Sequence, residues 1–565
     1  MASLTKKIIK GHAYWYLREC RRVDGKPKIV WQKYLGTARD IRRAFEAVEH
    51  PPKPRKLEVT EFGAVAALFS MAQRVGIGEA VDGHVPKRAQ GLTTGEYIVL
   101  AALNRAICPK SKAAFADWYA TTSLRRFIPA TRSQLASQRF WDHFDRLDEK
   151  TLAAIEMAIS RRIVERFAVD LSALVYDGSN FFTYIDSRTE SELAQRGHNK
   201  QKRNDLRQVA LGLLVSCDFH LPLLHVVYPG NVTDATEFRS LTSVLVERYE
   251  QLAGSCEDVT LIFDKGNNSE DAFATLDASR YHFVGSLVPS QHEDLLRVPL
   301  SRFRRLGEPR LDGVRAYRTR KRVFGAERTI LVTHNDALLE GQLRGLAQHH
   351  AKARRRLQAL KTRLARRAAG RVTRGRRPTR ASVERQVRTI LSAQFLAQII
   401  HVDIATSHGQ LTVSWRTDQD ALASLARRLF GKTILFTDRA DWTDEQIVLG
   451  YRAQSKIENV FRLMKHPQYL RWQPQWHWTD SKVRVHAFTC VLAVTLCSLL
   501  ARTVAQRGMP LSIPKILEEL CGVHETTVLY PGPTSRRSVV QHLLADLTPT
   551  QQRLLRLLDI PTEIS

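Results

Sequence analysis

Between residues 169 and 300, short apolar runs rich in β-branched and aromatic residues follow one another: "LSALVYD", "FFTYI", "QVALGLLVS", "LPLLHVVYP", "VTLIFD" and "YHFVGSLV". Each is too short for a core helix and suits a buried strand. The stretches "TEFRSLTSVLVERYEQL" and "SEDAFATLDAS", lying among the later runs, carry helical spacing instead. Several strands in series, then strands alternating with helices, restrict this segment to a mixed sheet covered by helices, an α/β fold.

Two of the runs end alike. "LSALVYD" stops at Asp177 and "VTLIFD" at Asp264, and a glycine follows each closely ("YDGSN", "FDKGN"). An acid at the end of a buried strand projects from the sheet edge on fixed backbone. If the two strands are neighbours, two carboxylates converge. Read singly, each Asp is ordinary turn chemistry.

A third acid lies far downstream, in "YRAQSKIENVFRLMK". Thr443 and Gln446 form a Thr-x-x-Gln capping box, so a helix is predicted to begin there and carry Glu458. Tyr451 and Lys465 lie seven residues to either side of Glu458, almost two turns, which predicts one shared face. Gln454 and Arg462 join that polar edge, and the apolar stripe Ile457, Phe461 and Met464 adjoins it. Three carboxylates brought close need a cation, because like charges raise each other's pKa. Mg²⁺ takes oxygen ligands and keeps its waters, so few carboxylates suffice. Two such ions activate a water or hydroxyl and stabilise the leaving oxygen of a phosphodiester.

Charge points to the same class of substrate. The 565 residues carry a formal net charge of +29, with a sequence pI of about 10.1. Phosphates reward clustered Lys and Arg through counterion release, which makes nucleic acid the leading partner and an anionic membrane the rival. Residues 351–390 hold 15 Lys or Arg against the single acid Glu384. They overlap a helical stretch, 335–368, that keeps Leu357, Leu360 and Leu364 on one stripe. This segment reads as a basic arm on DNA or as a solvated helical hairpin. "AFTCVLAVTLCSLLA" is too short to span a bilayer and predicts a buried helix. The basic N-terminus has no apolar stretch behind it, so no signal peptide is expected. Seven scattered cysteines without a CxxC fit a reducing compartment.

The organisation predicted is a β-rich region with a hairpin around Asp24-Gly25 (1–50) and a "PPKPRK" linker. A helical, DNA-binding or plain bundle domain follows (57–168). Then come the first part of the sheet domain (169–300), an insertion with the basic arm (301–440), the Glu458 segment (441–505) and a helical tail (506–565).

Taken together these residues resemble the DDE transposases of bacterial insertion sequences, in the IS-four-like branch with a Y-x2-R-x3-E-x6-K signature. Tyr451, Glu458 and Lys465 stand at the signature spacing, and Gln454 stands where the signature has Arg. "GHNKQKRNDLRQVALGLLVSCDFHLPLLHVVYPGNVTD", "VTLIFDKG", "YHFVGSLV" and "KVRVHAFTCVLAV" are similar to further stretches of that branch. The resemblance covers about 170–500. It implies an RNase H-like catalytic core interrupted by a large insertion, with Asp177, Asp264 and Glu458 as catalytic residues holding two Mg²⁺ ions, Mn²⁺ being a substitute. It implies DNA contacts at Tyr451, Gln454, Arg462 and Lys465. It implies cutting at terminal inverted repeats and strand transfer into target DNA through a hairpin intermediate. In that intermediate a flipped base stacks on an insertion aromatic, for which Trp415 is the candidate. A homodimer on DNA, in a bacterial cytoplasm and associated with the nucleoid, is the expected setting, with no membrane role. A repurposed DNA-binding protein without catalysis and a nuclease without strand transfer are the alternatives. Asn231 and Asp234 fit a "GN..D" pattern, though Asp234 with Glu237 also reads as a helix cap, and His486 reads as a core histidine.

Overall fold

The computed structural model describes residues 2–23, 25–49, 53–87, 91–186, 188–199, 201–232, 247–252, 258–372, 375–407, 410–473, 475–531 and 538–561. The chain divides into two compact units. One comprises Met1–Ala67, Asp117–Pro129 and Pro514–Ser565; the other comprises Leu68–Ala116 and Ala130–Ile513. The stretch 57–168, read as helical, contributes to both. The helix read over "TEFRSLTSVLVERYEQL" and the residue Asp234 fall largely or wholly outside the described residues.

The first unit opens with an antiparallel sheet of β1 (Ala2–Ile9), β2 (His12–Val23) and β3 (Lys26–Gly36). The β2–β3 pair closes with Val23 opposite Lys26, where the hairpin was expected; β1 is an additional strand. β4 (Lys56–Glu61) pairs with the C-terminal strand His524–Pro531, which pairs in turn with Ser538–Leu544. Thus the segment read as a helical tail contains two strands. Glu525, 1% exposed, accepts from Ser123 Oγ (2.7 Å) and Arg126 Nη1 (2.6 Å).

The second unit is built on a nine-stranded mixed sheet. β5 (Ala173–Thr183), β6 (Arg207–Ser216) and β7 (Pro222–Pro229) form an antiparallel meander. On its other edge β5 pairs in parallel with β8 (Thr260–Ile262), and β8 in parallel with β9 (His282–Ser286). β6 is buried along almost its whole length, which explains its uninterrupted apolar sequence. The sheet then grows through β10 (Arg304–Arg305), β11 (Val314–Val323) and β12 (Ala326–Asn335). These strands lie in the range read as insertion, yet they belong to the main sheet.

What stands apart from the sheet is the segment after β12. The helix Asp336–Ala368, capped by Asn335, packs its Leu357, Leu360 and Leu364 stripe against Val383 and Val387 of the helix Arg380–Ile390. Both helices enclose a small core with the hairpin of β13 (Ile400–Ser407) and β14 (Gln410–Thr417). The apolar stripe faces that core, so the basic residues are left almost entirely exposed. The chain re-enters the main sheet as β15 (Lys432–Thr437), inserted antiparallel between β12 and β9.

After β15 come the helices Asp444–Met464 and Asp480–Gln506. The second is long and apolar enough to cross a membrane, but its most apolar window is wholly buried inside the protein. It is a core helix, as its sequence suggested. Six cysteines of the described residues are free thiols.

Candidate active site

The row that positions the site is set by strand register. Val175 of β5 lies opposite Ile262 of β8, and Ile262 lies opposite Val284 of β9. Two residues further along each chain stand Asp177, Asp264 and Ser286. Parallel pairing therefore sets two carboxylates and a hydroxyl side by side, on strands roughly 4.8 Å apart. One detail differs from the sequence reading. Asp177 does not end its strand, because β5 runs on through "FFT" to Thr183. Continuous pairing with β6 holds it extended, Asp177 opposite Leu213. Asp264 does leave its strand, as the N-cap of a short turn of helix, Lys265–Asn267.

The helix Asp444–Met464 lies across β5, β8, β9 and β15. It begins where the capping box predicted: Thr443 accepts from the Gln446 N–H, and the Gln446 side chain answers. Asp444, 1% exposed, also ties this end to the sheet. It accepts from Arg304 of β10 (2.8 Å) and Arg318 of β11 (3.1 Å). Ile457, Phe461 and Met464 are buried and fix the helix rotation.

That rotation distributes the polar edge unevenly. The Tyr451 hydroxyl donates to Asp264 Oδ1 at 3.1 Å and lies 2.7 Å from Ser286 Oγ. Burial, and then the Asp264 and Glu458 carboxylates, push this phenol well above its ordinary pKa, so it keeps its proton. Glu458, two turns on, is exposed, as is Arg462. Gln454 is buried. Lys465 is the C-cap, one residue past the helix. Its ammonium donates to Ser179 of β5 at 2.7 Å and sits 4.8 Å from the centre of the Phe181 ring. Since side chains alternate along a strand, Ser179 and Phe181 share the face of Asp177. Tyr451 thus meets one aspartate, and Lys465 reaches the strand of the other.

Among the described residues no three His, Cys, Asp or Glu side chains close into a set ready for a metal ion. The donors available are nonetheless all carboxylate oxygens: Asp177 and Asp264 in register, and Glu458 on the helix above them. That chemistry fits a hard divalent cation. The Asp177 Oδ1 accepts the Gly178 N–H at 2.8 Å.

Ser286 and Ser179 were not singled out from the sequence. Ser286 had a signal, since it ends the apolar run "YHFVGS" much as Asp264 ends "VTLIFD", and in the structure it is the last residue of β9, opposite Leu435 of β15. Gly285 before it is required, because a Cβ there would lie 2.8 Å from the Phe436 ring. The carbonyl of Ser286 accepts from Asn268 Nδ2 at 2.9 Å.

Trp415 lies on β14, packed against the core of the insertion, with the Lys361 ammonium 5.9 Å from its ring centre. A cavity of about 640 Å³ opens beside the row instead, lined by Tyr451, Ser286, Lys265, His349, Phe395 and Phe430 among others, but not by Trp415. Phe395 holds a left-handed backbone, φ 68°, with its ring 5.6 Å from that of Phe430. A bulky residue in that region stores strain, which collects at functional sites. His486 is a core residue, its Nε2 2.8 Å from the Trp472 carbonyl.

The family described as Transposase DDE domain matches residues 175–496, a span that begins at the strand of Asp177 and takes in Asp264, Glu458 and Lys465. No curated protein matches the chain. Among solved structures, a piggyBac transposase synaptic complex with hairpin DNA is 9% identical, with 81% of this chain and 78% of that one covered and a TM-score of 0.35. A Mos1 transposase paired-end complex with the left transposon end is 11% identical, with 35% and 60% covered and a TM-score of 0.15.

Proposed function

Because the chain belongs to the DDE transposase family, its profile matching more than half of the residues, we propose that it cuts DNA at the terminal inverted repeats of a mobile element and joins the freed ends to target DNA. The observation that carries this reading is the register that sets Asp177 beside Asp264 under the helix of Glu458. The strand order, an antiparallel meander on one side of β5 and two parallel strands on the other, supports an RNase H-like core.

Asp177, Asp264 and Glu458 would hold two Mg²⁺ ions, or Mn²⁺ in their place. When bound, such ions lower the pKa of an attacking water or 3′-hydroxyl and neutralise charge on the leaving oxygen. Tyr451 orients the Asp264 carboxylate through its hydrogen bond. Lys465 supplies a point charge for a phosphate beside β5. Gln454, being buried, supports the helix from below, and Arg462 on its exposed edge suits backbone phosphate. The arginine-rich helical hairpin grips duplex DNA electrostatically. The cell interior, at the nucleoid, is where such a protein meets its substrate, as a dimer that pairs two ends.

The hairpin route is supported by the cavity beside Tyr451. A base flipped out of the terminal pair needs a π surface, and Phe395 offers one next to the row of acids.

The test is a cleavage assay on a linear duplex carrying the flanking terminal repeat, with and without Mg²⁺. Metal-dependent nicking followed by hairpin ends is expected. Asp177→Asn, Asp264→Asn and Glu458→Gln should each abolish cutting and leave DNA binding intact; full activity in any one removes that residue from the set. Phe395→Ala should keep the first nick and lose the hairpin. No cutting with any divalent metal would leave a DNA-binding protein, and open double-strand breaks without joining would leave a nuclease.

A further inference from the structure

Beyond Lys465 the chain forms a loop that is fastened on one side and bare on the other. Trp472 is 1% exposed and stacks on Phe181 of β5 with ring centres 4.4 Å apart. The buried Arg105 guanidinium donates to the carbonyls of Arg471 (3.0 Å) and Gln473 (3.2 Å). Gln475 is fully buried, its carbonyl accepting from the Tyr184 N–H at 3.3 Å. So this loop is tied to the sheet and to Arg105 at Arg471, Trp472, Gln473 and Gln475. From it Trp476 and Trp478 project outward, 62% and 64% exposed. His477 between them turns inward, 5.0 Å from the ring of Trp141 and 4.6 Å from that of His486.

Two bare indoles beside these anchors serve no core. Trp is seldom left so open unless it meets a partner. Charge surrounds them. The Lys482 ammonium lies 5.9 Å from the Trp478 ring and 5.3 Å from that of Trp141. Tyr184, 48% exposed, accepts from Gln473 Nε2 at 3.2 Å. A smaller cavity, about 250 Å³, lined by Phe181, Lys465, Arg471 and Gln473, lies between the Lys465 ammonium and the loop. Flat aromatic faces interleaved with cations match a strand of unpaired nucleotides: bases stack on the rings and phosphates meet the ammonium groups. A duplex hides its base faces and offers only phosphate.

We propose that Trp476 and Trp478, with Lys482 and Tyr184, form a stacking platform for single-stranded DNA, which carries the unpaired strand away from the candidate site past Lys465. The platform rests on the reading that this chain handles DNA ends, yet it binds without cutting, so the two can fail separately.

The experiment measures binding of fluorescently labelled oligonucleotides to the full chain in EDTA, where cleavage plays no part. The probes are a single-stranded thymidine oligonucleotide and a duplex of equal length. Trp476→Ala/Trp478→Ala should weaken single-strand binding about ten- to a hundredfold, and duplex binding less than about threefold. Trp476→Phe/Trp478→Phe, which keeps the rings, should restore most of the loss, and circular dichroism checks that both variants fold. Equal loss on both probes, or no loss on the single strand, overturns the platform. Unchanged single-strand affinity with a smaller species in sedimentation would assign the surface to a second copy of this chain and overturn it as well.

Discussion

Tyr451 donates its hydroxyl proton to Asp264, and this contact ties the helix to the candidate site. Removing the hydroxyl leaves one carboxylate free to turn. In Tyr451→Phe the divalent ion concentration for half-maximal cutting should rise about ten- to a hundredfold, while DNA affinity stays level; a titration of cleavage against Mg²⁺ reads both. Lys465 reaches the other aspartate's strand, donating to Ser179. Lys465→Gln should weaken end binding and flatten its salt dependence by about one phosphate contact, measured by gel shift at several salt concentrations. At this scale Asp177, Asp264, Glu458, Tyr451 and Lys465 were legible as residue types at telling positions. The partner of each was not. Nothing in "HFVGS" says that its serine will meet a tyrosine from residue 451, because that contact depends on strand pairing and helix rotation together.

The helix Asp444–Met464 is fixed twice at its N-terminal end. Its capping box was written in the sequence, and Thr443→Ala should cost about 1 kcal/mol of stability. Asp444 was not legible as an anchor, because its arginines come from β10 and β11, far away in sequence. Asp444→Ala should destabilise more than the cap variant does and lower cutting as well, since it frees the end of the helix that sets Tyr451. Thermal unfolding and the cleavage assay, run on both variants, order them. The arm separates in the same way. Leu357, Leu360 and Leu364 announced a packed stripe, and all three are buried. Leu360→Ala should cost about 2–5 kcal/mol within the arm. Hydrogen exchange should therefore quicken in 336–390 and leave β5 to β9 unchanged.

For the molecule as a whole, pH should bear on stability through side chains held in the wrong protonation state for water. Burial, and then the positive charges of Lys112 and Arg105, hold His477 down to about 3, and burial with Lys456 holds His220 down to about 4. Both stay neutral when folded and take protons when unfolded, so stability present above about pH 6.5 should fall as acid is added. Lys112 is pushed down to about 7 by burial and by Arg105. Above that value the unfolded chain holds a proton that the folded one has released, and stability should rise with pH. The buried thiols act oppositely. Cys490 is pushed up to about 11 and Cys217 to about 12, both by burial, so above about pH 8.5 unfolding releases their two protons against the one that Lys112 takes up. Denaturant midpoints should therefore climb from pH 5 to about 8.5 and then turn down. Lys112→Met should flatten the climb above pH 7.

The sequence alone determined the local facts: short β-rich runs, a capped helix with a packed edge, three carboxylates in telling contexts, and a basic, leucine-striped arm. Each follows from spacing and side-chain type within about twenty residues, where periodicity and capping act. Tertiary structure alone decided the rest. It set Asp177 inside a continuous strand and added β10 to β12 to the main sheet. It packed Trp415 against the arm's own core while Phe395 lined the cavity, and left Trp476 and Trp478 bare on a loop fastened by Arg105. These outcomes turn on which distant segments pair and which faces are left without a neighbour, and pairing is fixed by burial summed over the whole unit, which no single stretch encodes.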